Sequence, residues 1–134
     1  MTFEVESLKD WQKPAKWLLE QYPNGGVFFL RGRLAVGKTT FVKAIVSELG
    51  YNNAYSPTFA LINSYGDNIF HYDLYQLQEK NISLAEVVQN FLEPGWHFIE
   101  WADENTEKIV SFYGITPVWN DICVKGEKRH IKIE

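Results

Sequence analysis

Val27-Phe28-Phe29-Leu30 is an unbroken apolar run of strand length, the pattern of a strand covered on both faces. Each such side chain contributes roughly 1.5–3 kcal/mol on burial. The period then changes. In TTFVKAIVSELG, Phe41, Ala44, Ile45 and Leu49 recur on one stripe, which predicts a helix with Gly50 as its stop. Upstream, FEVES predicts a short strand, and DWQKPAKWLLEQY places Trp11, Ala15, Leu18, Leu19 and Tyr22 at helical spacing. Pro14 fits only the first turn of that helix, and YPNGG punctuates its end. Downstream, FALINSY and IFHYD read as two strands separated by Gly66, Asp67 and Asn68, an antiparallel hairpin. SLAEVVQNFL opens with Ser83 and Glu86 in capping-box spacing and predicts a helix ended by EPGW. HFIEW predicts a further strand. ITPVWNDICVKGEKRHIKIE predicts two strands around Lys125-Gly126-Glu127. This order implies an α/β, three-layer domain with a mixed, partly antiparallel central sheet, one domain over residues 1–134.

Composition narrows the picture. The 134 residues are 46% hydrophobic and 16% aromatic, enough for a packed core, and the formal net charge is −4. That balance disfavours broad electrostatic grip on nucleic acid, so DNA is not expected as a partner. The N-terminus lacks a basic segment followed by an apolar run, and no apolar run approaches the ~20 residues that span a bilayer. A soluble, cytoplasmic protein without membrane association is expected. The single cysteine, Cys123, cannot form an internal disulfide and is expected to be a small buried apolar residue on its strand. No internal repeat or low-complexity tract interrupts the chain.

The candidate chemistry lies between the first buried strand and its helix, in GRLAVGKTT. Gly32-x-x-x-x-Gly37-Lys38-Thr39 matches the Walker A pattern at every required position. Chance produces such a match in about 1 in 30,000 windows, and the strand before and helix after supply its proper context. Glycines let the backbone approach phosphate oxygens, so that N–H groups along Gly32, Leu34, Ala35, Val36 and Gly37 point inward. The helix N-terminus adds partial positive charge. Lys38 reaches the β- and γ-phosphates, the Thr39 hydroxyl coordinates Mg²⁺, and Thr40 supports the α-phosphate or the helix start. A P-loop NTPase-like domain with ATP and Mg²⁺ as ligands is expected.

A phosphate cradle alone only binds. Transfer or hydrolysis needs carboxylates, and Asp73 and Glu100 close two predicted strands, where α/β sites collect. Both strands are expected to run beside Val27–Leu30, and either residue could bind metal or activate water. Ser56-Pro57-Thr58-Phe59 lies between the loop's helix and the hairpin. Pro57 holds Ser56 extended; the segment is a loop brace or a switch in which Thr58 senses the γ-phosphate. His71 reads more readily as a satisfied structural histidine than as a catalytic one. His97 and His130 show no partners in sequence, and the histidines and cysteine lack zinc spacing.

Taken together, GRLAVGKTTFVKAIVSELG, SPTFALINSY, HYDLYQL and IEWAD resemble the TsaE family of bacterial ATPases, over about Gly26 to Asp103 and more weakly at KRHIKI. The family shows a GDLGAGKTTF-type loop and SPTF, HxDLYR and IEW segments in this order. The resemblance implies a small ATPase needed for threonylcarbamoyladenosine in tRNA. It would work with the TsaB and TsaD proteins and meet tRNA indirectly through them. It implies that Lys38 and Thr39 bind triphosphate and Mg²⁺, and that Asp73 and Glu100 divide metal binding and water activation. Trp101 would pack over the site or in the core, and Arg129 lies on the family's arginine-bearing final strand. Three positions depart from the pattern: Arg33 replaces an aspartate, Ala35 a glycine, and Gln76 the arginine of the DLYR segment. A family threonine close to the base is replaced in SLKDWQKP, where Trp11 could stack on adenine. These departures bear on rate more than on binding and keep a non-hydrolysing, nucleotide-sensing module in view. No NKxD-like segment supports a GTPase, and three arginines without a lid-like insertion disfavour a small-molecule kinase.

Overall fold

The computed structural model describes residues 1–33, 36–51, 55–57, 62–66 and 68–134. The strands are β1 (Thr2–Val5), β2 (Gly25–Arg31), β3 (Tyr55–Pro57), β4 (Ile62–Tyr65), β5 (Ile69–Asp73), β6 (Gly95–Glu100), β7 (Val118–Lys125) and β8 (Lys128–Ile133). The helices are α1 (Gln12–Gln21), α2 (Lys38–Glu48), α3 (Leu74–Glu79), α4 (Leu84–Val87) and α5 (Glu104–Phe112). All eight strands form one sheet in the order β1-β8-β7-β2-β6-β5-β4-β3. β2 runs parallel to β6 and β7, and β5 parallel to β6. Antiparallel pairs flank this centre: β7–β8 and β8–β1 on one side, β5–β4 and β4–β3 on the other.

Val27, Phe28, Phe29 and Leu30 are all buried, as an uninterrupted apolar strand should be. Alternation sorts them by face. Phe28 and Leu30 join Phe98, Ile69 and Trp96 under α1 and α2. Val27 and Phe29 join Tyr72 and Ile99 under the layer that carries Leu77, Val87 and Val110. The result is the expected three-layer α/β architecture with a mixed sheet. α2 buries Phe41, Val42, Ala44, Ile45 and Val46 on a stripe wider than its sequence spacing suggests. Pro14 sits in the first turn of α1, where its missing N–H has no helical acceptor to lose.

Several expectations change. The segment SLAEVVQNFL keeps its capping box at Ser83 and Glu86, but the α-helix stops at Val87 and a 3-10 turn, Val88–Leu92, follows. This tighter turn buries Val88 and Phe91 together with Val87. Leu74–Glu79 and Glu104–Phe112 are two further helices; capping by Asp73 and by the Asp103–Thr106 pair starts them. Only β6 and β7 flank β2, so β5 lies one strand further out than expected. Cys123 is exposed rather than buried. Ile122 takes the core-facing position on β7, and the alternation turns Cys123 to the opposite face.

Candidate nucleotide site

The chain leaves β2 at Arg31, turns through the glycine loop and enters α2 at Lys38. β6 and β7 depart on opposite sides of β2, so the loop opens into the crevice where α/β sheets bind ligands. A cleft of about 550 Å³ lies there, lined by Val5, Ser7, Trp11, Val36, Gly37, Lys38, Thr39, Thr40, Glu100 and Arg129 among others. That volume suits a nucleotide-sized ligand.

Two glycines are required by what surrounds them. A Cβ on Gly32 would stand 2.6 Å from the Ile122 carbonyl oxygen and 2.8 Å from Cγ2 of Val36. Gly37 has φ 121°, and a Cβ there would stand 2.5 Å from Cη2 of Trp11. The indole is 4% exposed and packs on Phe41 at 6.1 Å between centroids. Trp11 is therefore a floor beneath the loop, packed on Phe41 while it also lines the cleft.

Lys38 is 5% exposed. Its Nζ donates to the Gly32 carbonyl at 2.9 Å, lies 3.4 Å from Oε1 of Glu100, and sits 4.4 Å from the Trp101 ring centroid. Arg129 donates from Nε to the Val36 carbonyl at 3.1 Å, so the last strand clasps the loop. Thr39 is exposed on the first turn of α2, and Thr40 is half-buried beside it.

Asp73 and Glu100 end adjacent parallel strands and are register partners, so they share the face covered by α1 and α2. They differ in setting. Glu100 is buried, and its Oε2 accepts from Nε2 of His71 at 2.6 Å. Burial pushes its carboxyl up; the bond from His71 and the charge of Lys38 outweigh that and hold it below the usual carboxylate range. Asp73 is half-exposed, and its Oδ1 accepts from the backbone N–H of Gln76 at 3.2 Å. Gln76 itself is exposed.

Trp101 follows Glu100 with φ 65°, a left-handed conformation costing a non-glycine residue roughly 1–2 kcal/mol. The sharp turn brings its ring back over Lys38, where it is 43% exposed and 5.9 Å from the Tyr75 ring. It is not a core tryptophan. Arg33 is exposed on the loop. Leu34, Ala35, Thr58 and Phe59 lie outside the described residues.

The residues suit a magnesium nucleotide. The glycine cradle leaves room that a Cβ would fill, a buried ammonium faces it, and an exposed hydroxyl stands at the helix start. Among the described residues no group of three or more His, Cys, Asp or Glu could hold a metal. Mg²⁺ is commonly held through one or two carboxylates plus substrate phosphates; Glu100 and Asp73 could provide the carboxylates, and Thr39 a hydroxyl. Several participants carry no local sequence signal. Val5, Glu6, Ser7 and Leu8 reach the cleft wall from the N-terminal segment, and Glu127 from the β7–β8 turn; the β1–β8 pairing and the packing of the N-terminal segment on α2 bring them together. His97, without a partner in sequence, is buried: Tyr72 donates to its Nδ1 at 2.7 Å and its Nε2 donates to the Glu93 carbonyl at 2.7 Å.

Comparison with known proteins follows this geometry. The family described as "Threonylcarbamoyl adenosine biosynthesis protein TsaE" matches residues 5–130. The chain is 34% identical over 107 residues to the tRNA threonylcarbamoyladenosine biosynthesis protein TsaE of Aquifex aeolicus (strain VF5), an alignment spanning 75% of this chain and 76% of that one. It is 35% identical over 82 residues to the protein of the same name from Bacillus subtilis (strain 168), spanning 58% of this chain and about half, 51%, of that one. The crystal structure of Bacillus subtilis YdiB superposes with a TM-score of 0.70 at 21% identity, covering 99% of this chain and 83% of that one. At that identity the likeness speaks to the fold alone. Among the described residues no helix is long and apolar enough to cross a membrane.

Proposed function

Because this chain belongs to the TsaE family of tRNA threonylcarbamoyladenosine biosynthesis proteins, we propose that it is a cytoplasmic P-loop ATPase that binds ATP and Mg²⁺, hydrolyses slowly alone, and acts in that modification with TsaB and TsaD. The observation that carries the reading is Lys38. A buried ammonium bridges the Gly32 carbonyl and Glu100 at the mouth of a glycine cradle, a desolvated charge already aimed where phosphate would sit.

ATP supplies the terminal phosphoryl bond, and Mg²⁺ supplies a Lewis acid that neutralises its charge. The chain's own groups do the rest. The backbone N–H groups at the start of α2 and the Lys38 ammonium bind phosphate charge. Lys38 needs little ordering, since its side chain is already packed and bonded. Thr39 offers its hydroxyl to the metal. Glu100 takes the metal side, because its strand adjoins β2 and its Oε1 faces Lys38. Asp73, one strand further out and half-exposed, takes the water side as acceptor of a proton. Arg129 holds the loop from behind through the Val36 carbonyl.

An open cleft with one lining arginine among the described residues offers little water exclusion or positive charge for transition-state oxygens, so turnover alone is slow. A partner would supply what is missing. The test pairs two measurements. Calorimetry should show Lys38→Ala weakening ATP binding by roughly 1.5–3 kcal/mol, the scale of a charged hydrogen bond; unchanged affinity in a folded variant refutes the cradle. Phosphate release should rise when TsaB and TsaD are added. Equal rates, with complex formation confirmed by gel filtration, refute partner activation and leave a nucleotide-sensing module.

A further inference from the structure

His71 lies on β5 opposite Phe98 of β6, two residues before the Asp73–Glu100 pair on the same face. Its ring is buried, as is the Glu100 carboxylate it meets. A carboxylate offers only acceptors, so the 2.6 Å contact between Nε2 and Oε2 places the hydrogen on Nε2. The other carboxylate oxygen, Oε1, is the one 3.4 Å from Lys38 Nζ. The two oxygens of Glu100 are thus divided between two neighbours on opposite sides.

That division has a consequence for the site. A glutamate side chain turns about three torsions, so a carboxylate beside an ammonium, which acts as a point charge, can present either oxygen to it or turn away. Held at Oε2, Glu100 cannot make that turn. We propose that His71 is a positioning residue: its Nε2–H fixes the Glu100 rotamer so that Oε1 stays toward the cleft and available on the metal side. This rests on the nucleotide reading of the cleft given above. It differs from a purely structural role, in which His71 would only satisfy a buried carboxylate and the metal side would be indifferent to it.

Glutamine and asparagine separate the two roles. His71→Gln extends an N–H donor to about the reach of Nε2, whereas His71→Asn is polar but too short to reach Oε2. Calorimetric titration of ATP with and without Mg²⁺ reads binding without relying on turnover, and thermal melts confirm that each variant is folded. With His71→Asn, the Mg²⁺ concentration for half-maximal enhancement of ATP binding should rise about 10–100-fold, the usual effect of removing an outer partner of a metal-binding carboxylate. Metal-free ATP affinity should stay within about twofold of the parent, and His71→Gln should recover most of the loss. An unchanged Mg²⁺ requirement in folded His71→Asn, or equal defects in both variants, overturns the positioning role while leaving the cleft's function standing. A parent protein whose ATP binding ignores Mg²⁺ overturns the metal-side reading itself and this inference with it.

Discussion

Gly37→Ala is the perturbation whose size the geometry sets most directly. Two terms add. At φ 121° a side chain costs roughly 1–2 kcal/mol. The new methyl would also meet the six-membered ring of Trp11 at 2.5 Å from Cη2, about 1 Å inside ordinary contact. Trp11 is buried against Phe41 and cannot yield freely, so overpacking adds about 1–3 kcal/mol. The sum is roughly 2–5 kcal/mol. For 134 residues, an unfolding entropy of about 2.1 cal/mol/K per residue converts this to a fall in Tm of roughly 7–18 °C. The assay is calorimetric melting of the parent, Gly37→Ala, Trp11→Leu and the double variant. Leucine removes the ring but not the backbone strain, so the cycle should return a coupling of about 1–3 kcal/mol, the overpacking part alone. A Gly37→Ala variant as stable as its parent, or zero coupling to Trp11, would refute the account of the loop and its floor.

Three further outcomes are expected. Asp73→Asn and Glu100→Gln keep shape and remove charge, and each should cut ATP turnover about 10²-fold or more while keeping measurable ATP binding; full activity in either removes that residue from the mechanism. Burial holds the His97 ring below its usual value, so the unfolded chain takes up the proton first. Stability from this site should be complete above about pH 6.5 and fall as pH drops below it, and urea melts of His97→Gln at about pH 5 and about pH 7.5 should show a shallower loss than the parent. Trp101→Gly should melt within about 1 kcal/mol of the parent, because relief of the left-handed backbone offsets a lost cation–π contact of about 0.5–2 kcal/mol; a larger drop would mean the ring is held by more than Lys38.

What could be read from sequence follows range. The buried strand at Val27–Leu30, α2, the antiparallel pairing of β4 with β5 and the capping box at Ser83 are local signals, and each stands where its pattern put it. Asp73 and Glu100 were legible as strand ends, and the parallel β5–β6 register makes them neighbours. What local pattern could not supply was strand order. Nothing in IFHYD says that β6 would lie between it and β2. The same gap hid the bonds of His71 to Glu100 and of Tyr72 to His97, each made across strands. Cys123 failed for another reason: an apolar residue on a strand has two faces available, and composition does not choose between them. α3 was hidden because only 6 residues follow its Asp73 cap, and α5 because its buried stripe of Thr106 and Val110 is short and half polar.

The Arg129–Val36 bond joins residues 93 positions apart, and the strand it comes from also pairs with β1, as in Phe3 opposite Ile131. Such distant contacts form late, because the chain between them must be ordered before they are rewarded. On a ribosome making about 5–20 residues per second, the glycine loop emerges several seconds before the strand that clasps it. Until then the loop lacks its clasp, and β1 has no strand to pair with. On the proposed reading of the cleft, nucleotide capture waits on the synthesis of β8, so that ATP retention by nascent chains would mark those that carry the clasping strand and pass over those that do not.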